Sequence, residues 1–430
     1  MPLFILYVLI TMCYYRNMEN NQPDMKTDVK PVVDRHEAIS LMEPLLIAPE
    51  SRFAGAINDL ALELAARAAG FRRSMPAGIT RSLAGLVRAM NCYYSNLIEG
   101  HDTHPVDIER ALQKDYSSDK EKRNLQLEAR AHIEVQAWID QGGLKGRALT
   151  VEGIREIHRR FAELLPDELL WNEDPESGER VHVEPGALRD RDVKVGRHVP
   201  VSPGALPRFL ERFEQVYSNQ GKSRTIAMAA AAHHRLLWIH PFVDGNGRVT
   251  RLMSHAIFIE TLDTGGVWSI ARGLARNEQK YKALLANCDL PRRNALDGRG
   301  NLSEETLAEF TIFFLQTCLD QVDFMEALMQ PDRLRHRLLS WASEEVAMGT
   351  LPPKSERILE ALLYRGQLPR NEVPALLGVG ERQARRVVSA LSKQDIVTST
   401  SRRAPLSLGF PSRLAPRLMP GLFPDREQHP

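Results

Sequence analysis

Between His240 and Arg251 the chain places an imidazole, a carboxylate, two glycines and two guanidiniums within one short stretch. Asp244-Gly245-Asn246-Gly247 runs directly into an amphipathic segment. Glycines there let backbone N–H groups converge on an anion, and a helix starting at that point adds its partial positive charge. Arg248 and Arg251 stand at i and i+3, so they share one helix face beside the same pocket. Free amides and two arginines suit a polyphosphate, while the G-x-x-x-x-G-K-[ST] loop of lysine-type phosphate sites is absent. Asp244 could hold a Mg²⁺ that bridges phosphate oxygens. His240 titrates near neutrality in its ordinary state and can take a proton from a hydroxyl, with Pro241 fixing the turn after it. Leu252, Met253, Ile257 and Ile259 supply apolar contacts. Taken singly, a His before Pro, a Gly-x-Gly and an arginine pair are a structural residue, a turn and a solvated face; the joint pattern is what points to chemistry.

A second cluster lies upstream. Ser95-Asn96-Leu97-Ile98-Glu99-Gly100 puts Ser95 and Glu99 at i and i+4 on one helix face, and Gly100 is a natural terminator. By itself this reads as a capped, exposed helix with Glu99 in solvent.

The elements that must position these groups are mostly helical. Apolar periodicity predicts helices over Ala54–Ala69, Arg81–Glu99, Val106–Lys114 and Asn124–Asp140, closed by Gly142 and Gly143. Thr150 is a plausible cap for a helix ending at Pro166. Residues 171–204 alternate, turn at Pro185–Gly186, and read as a β-hairpin. Helices resume over Leu206–Tyr217, Thr225–Trp238, Asn246–Leu262, 275–288 and 303–330.

Composition bounds the class. The chain has 430 residues, which predicts two or three domains. It is 43% apolar and 26% charged, so disordered, collagen-like and coiled-coil chains are excluded. Net charge is +1, but from Leu351 onward 13 Lys/Arg face 7 Asp/Glu, a local +6 against −5 for the rest. Cys13, Cys92, Cys288 and Cys318 form no C-x-x-C pair; they exclude a disulfide scaffold or zinc knuckle and fit a reducing, cytoplasmic setting. Leu3 to Tyr15 is nearly all apolar yet too short to span a bilayer, and reads as an upstream start outside any domain, with Met18 and Met25 as alternative starts. No later segment reads as transmembrane. The expected divisions are a partly disordered lead-in over 1–50, a helical region over 51–145, a core over 146–330, a linker helix over 331–350, a basic module over 351–410 and a loosely packed Pro-rich tail over 411–430. Lys354 onward reads helix, helix, turn at Gly378–Gly380, helix, then a strand pair, a winged helix-turn-helix pattern. Its third helix carries Arg382, Arg385 and Arg386 and its wing Arg402 and Arg403, so DNA-backbone contact and a solvated packing domain are both open.

His240-Pro241-Phe242-Val243-Asp244-Gly245-Asn246-Gly247-Arg248-Val249-Thr250-Arg251 resembles the signature H-P-F-x-D-G-N-G-R-x-x-R of the Fic family of protein adenylyltransferases, with every fixed position present. The resemblance covers roughly residues 80–330. It implies a mainly α fold, a Fic helical core with a β-hairpin flap, and transfer of AMP from ATP to a Ser, Thr or Tyr hydroxyl of a protein. His240 would be the base, Asp244 the Mg²⁺ ligand, and Gly245, Asn246, Gly247 and Arg248 the phosphate cradle, with Arg251 on the γ-phosphate. Val193-Lys194-Val195-Gly196-Arg197-His198-Val199-Pro200 resembles the family's flap, whose strand edge would register a target protein. Tyr281 and Asn287 stand where the family places base contacts, or simply pack. Ser95 and Glu99 resemble the inhibitory motif [ST]-x-x-x-E-[GN], in the class with an N-terminal inhibitory helix; Glu99 would then compete with ATP for Arg251. Removal of AMP by that glutamate, transfer of another nucleotide, a homodimer, and a DNA-binding regulator that uses the core as a nucleotide sensor all stay open.

Overall fold

Helices carry most of the described chain, residues 32–173 and 178–424 of the computed structural model. The N-terminal apolar stretch, Met18 and Met25 lie outside the described residues. The N-terminal helices are α1 (Ala54–Arg73), α2 (Ala77–Ile98), α3 (Pro105–Leu112) and α4 (Lys120–Asp140). Next comes α5 (Val151–Glu163), capped by the Thr150 hydroxyl on the Gly153 amide as the sequence predicts. Then follow α6 (Leu206–Tyr217), α7 (Lys222–Ile239) and α8 (Asn246–Leu262). Ala229–Ala232 are all buried on α7, and such small side chains let it lie close against α8. The long helix α11 (Glu304–Met329) buries Phe310, Phe313 and Phe314 and packs along α1 and α7.

Two predicted elements differ. Residues 275–288 fall in two helices, α9 (Ile270–Arg276) and α10 (Glu278–Asn287), because Asn277 leaves helical geometry and its side-chain amide donates back to the Gly273 carbonyl. The hairpin is shorter and earlier than the alternation implied: β1 (Trp171–Glu173) pairs antiparallel with β2 (Arg180–His182). After it the chain is loop as far as residue 202, with one bridge, Val195 to His198, around Gly196–Arg197. Gly196 has φ +59°, the left-handed region that suits glycine at such a tight turn.

Part of the lead-in packs onto α6 and α7. Asp34 accepts a fork from Arg208 at 2.7 and 2.9 Å, Glu37 takes the amide and hydroxyl of Ser202, and buried Arg235 donates twice to the Pro44 carbonyl. Past α12 (Pro331–Ala347) come α13 (Ser355–Arg365), α14 (Val373–Leu377), α15 (Glu381–Lys393) and the antiparallel pair β3 (Val397–Thr398) and β4 (Ser407–Leu408). This order is compatible with the winged helix expected there. The boundaries expected at 145, 330 and 350 are not breaks in packing, since the chain from Asp34 forms one unit.

The tail corrects the sequence expectation. Residues 411–424 are packed, because Leu418, Met419, Leu422 and Phe423 stand between the prolines as buried anchors. The Tyr94 hydroxyl donates to the Leu422 carbonyl at 3.1 Å, and Arg272 donates to the Gly421 carbonyl at 2.8 and 3.2 Å. Phe423 meets Tyr93 edge-on. No helix among the described residues is long and apolar enough to cross a membrane.

Gly78, near the start of α2, faces the Gly366 backbone so closely that a Cβ there would overlap the Gly366 carbonyl. In an unhindered helix Gly→Ala stabilises by about 1 kcal/mol. Here Gly78→Ala is expected to destabilise by about 1–3 kcal/mol through overpacking, read as a lowered melting midpoint.

Candidate active site

Helix α7 ends at Ile239, and His240 turns out of it in the left-handed region, φ 51° and ψ 63°. Its Nδ1–H donates to the Leu237 carbonyl at 3.3 Å, which leaves Nε2 as the lone-pair nitrogen. Phe242 is fully buried and stacks on His158, ring centroids 4.0 Å apart and ring planes nearly parallel. The Asn246 amide pinches the turn, accepting from the Phe242 N–H at 3.0 Å and donating to its carbonyl at 2.8 Å. The Asn246 side chain thus shapes the loop, and its second amide N–H and its backbone remain for an anion. Gly245, φ 79°, precedes the first turn of α8, and no side chain among the described residues caps the amides there. They form an anion site at a helix N-terminus.

That site is filled from within the chain. Glu99, at the end of α2, pairs with Arg251, and its carboxylate lies where a Cβ on Gly247 would stand. Arg251 also donates to the Ser95 hydroxyl at 2.8 Å and to the Ser95 carbonyl at 3.2 Å. Burial acts to raise the Glu99 pKa, but the Arg251 charge and hydrogen bond outweigh it, with Arg248 and His101 assisting, and hold it below the usual carboxylate range. Gly100 ends the helix at φ 85°.

Arg248 is buried over the Phe161 ring. It donates to Glu128 of α4 at 2.8 Å and lies 3.5 Å from Asp244. Glu128 was not singled out from sequence; its one signal was the polar stripe Glu128, His132, Gln136 at i, i+4, i+8. Asp244 keeps a half-exposed carboxylate at the mouth. One carboxylate beside an anion pocket fits a Mg²⁺ whose other ligands are phosphate oxygens and water. Among the described residues no group of three or more metal-ligating side chains occurs.

Val193, Lys194, Val195 and Gly196 are at least partly exposed on the flap turn, and His198 anchors it by donating from Nε2 to the Trp238 carbonyl at 2.8 Å. Tyr281 is buried, its hydroxyl meeting His233 at 2.8 Å with the Arg251 guanidinium also near it. Asn287 is exposed at the end of α10.

With the geometry in hand, the comparisons are specific. Residues 148–258 match the family model described as Fic/DOC family, so the chain carries a Fic domain. The protein adenylyltransferase Fic of Drosophila ananassae is 29% identical over 196 residues, 44% of this chain and 36% of that protein. Its Drosophila melanogaster counterpart is 36% identical over 113 residues, 26% of this chain and 20% of that protein. The chain thus spans between a fifth and just over a third of these relatives. A Fic family protein from Desulfovibrio desulfuricans, known by crystal structure, superposes with a TM-score of 0.47 at 15% identity, over 81% of this chain and 95% of that one.

Burial pushes His240 down to about 4 and His158 and His234 likewise to about 4, and His132 to about 3, all from the usual 6.5. The unfolded chain therefore binds more protons than the folded one between about pH 6.5 and 4, so stability falls as pH drops through that window. Melting midpoints are expected to fall progressively across it. NMR titration of His240 should find the ring neutral above pH 5, with the base form lost only near pH 4.

Proposed function

We propose that this Fic-domain chain is an autoinhibited protein adenylyltransferase. The observation that carries the reading is the stack of His240, the amides at Gly245–Arg248, Arg251 and Glu99 at the start of one helix. The neutral His240 Nε2 takes the proton of a target hydroxyl; the oxygen attacks the α-phosphorus of ATP, one P–O bond forms, and the bond to the β-phosphate breaks to release pyrophosphate. The flap edge at Val193–Gly196 aligns the target backbone. The helix amides, Arg248 and Arg251 hold the phosphates, so positioning and charge neutralisation carry the rate. Asp244 would hold Mg²⁺, whose contribution is to neutralise phosphate charge.

Inhibition follows from occupancy. Glu99 spends Arg251 and fills the amide nest, so a triphosphate can enter only with its α-phosphorus out of line. A charge-assisted fork of this kind is strong enough for one residue to hold the resting state. Glu99→Gly is expected to raise self-labelling from α-labelled ATP by about tenfold or more. His240→Ala in that background should abolish it, as should EDTA. A folded but silent Glu99→Gly protein would sink both brake and activity.

DNA contact by the C-terminal module is a second reading. It is favoured by a groove of about 520 Å³ lined by Arg370, Arg385 and Arg402, with Arg382, Arg386 and Arg403 exposed on α15 and the wing. Duplex binding should weaken steeply with salt and be lost in an Arg385→Ala, Arg386→Ala double variant, read by gel shift.

A further inference from the structure

Arg189 lies in the loop between β2 and the flap, inside the charged run Arg189-Asp190-Arg191-Asp192, and is only 3% exposed. Its backbone N–H donates to the Pro241 carbonyl at 2.9 Å. Its guanidinium donates from Nε to the His240 carbonyl at 2.8 Å, from Nη1 to the Arg191 carbonyl at 2.8 Å, and from Nη2 to the carbonyls of Val201 and Ile239 at 2.5 and 3.5 Å. Every one of these acceptors is a main-chain oxygen. They belong to two segments, the turn that carries His240 and the two ends of the flap.

We infer that Arg189 is a positioning residue that ties the His240 turn to the flap stem and sets the spacing between the imidazole and the hydroxyl the flap presents. This rests on the reading of His240 as the base. A buried cation without a paired carboxylate is costly to keep. Only a planar fork with five donors in fixed directions can reach acceptors on both segments at once; an ammonium offers three donors from one point. His240 needs such a hold, because a non-glycine residue in the left-handed region is disfavoured. Desolvation lowers the Arg189 pKa to about 10, still far above neutrality, so the charge persists and adds to the forces that keep His240 neutral.

The test uses the full chain with Glu99→Gly, alone and combined with Arg189→Lys or Arg189→Gln. Both substitutions should lower the rate of AMP transfer at saturating ATP by about 100-fold, the scale of a 1 Å misplacement, while KM for ATP stays within about threefold. Amide hydrogen exchange should quicken at residues 191–201 and 239–242 and nowhere else, with the melting midpoint little changed. A rate within about threefold of the Glu99→Gly parent overturns the assignment, as does a KM for ATP that rises in step with the loss of rate. Exchange that quickens throughout the protein also overturns it, leaving a plain structural role. If the Glu99→Gly parent transfers nothing, the functional reading has failed, and exchange alone decides Arg189: local loosening supports the tie, and unchanged protection removes it.

Discussion

Arg251 can serve one anion at a time. Its guanidinium is nearly inaccessible, and its donors already meet the Ser95 hydroxyl, the Ser95 carbonyl and the Glu99 carboxylate. The same carboxylate sits over the uncapped amides of α8, where a helix attracts negative charge most strongly. The seating of α2 on α8 is therefore what brings the Glu99 carboxylate to Arg251 and Gly247.

Much of the remaining structure serves that relation. Glu128 on α4 holds Arg248, so both arginines of the motif are engaged by carboxylates from the N-terminal helices. One turn back along α2 and one turn on along α8, Asn91 donates to Gln136, Gln136 meets His255 at 3.3 Å, and His255 meets Asp140 at 2.7 Å. This buried polar chain fixes the register of α2, α4 and α8. A slip of one residue would leave several buried groups unpaired, each a substantial cost.

The parts of the site that could be read from sequence are those written in contiguous residues. His240 to Arg251 stand within about one helical turn of each other, so their joint spacing points to them; Ser95 to Gly100 by itself reads as a solvated helix end and stands out only through the family resemblance. Both ends of α6 and α8 were legible for the same reason, since the apolar period changes where the helix does. What spacing did not disclose depends on distant partners. Glu128 matters because Arg248 comes to it from residues far along the chain, and Arg189 because the flap folds back over the His240 turn. The contacts of Tyr281 with His233 and of Asn246 with the Phe242 backbone were likewise not legible from spacing. The flap alternates like a strand, yet it finds no partner strand beyond one bridge.

The contact between Tyr94 and Leu422 closes a loop of 328 residues. In order of synthesis, α2 leaves the ribosome early and the stretch that covers its aromatic flank leaves late. Until then Tyr93 and Tyr94 lack the lid that Met419, Leu422 and Phe423 make, and α2 must wait on a distant stretch of its own chain to be fully seated. Contacts of such long range form slowly, because chain closure must precede the packing that rewards it. The nascent protein thus passes through a stage in which α2 exists but is only half clothed.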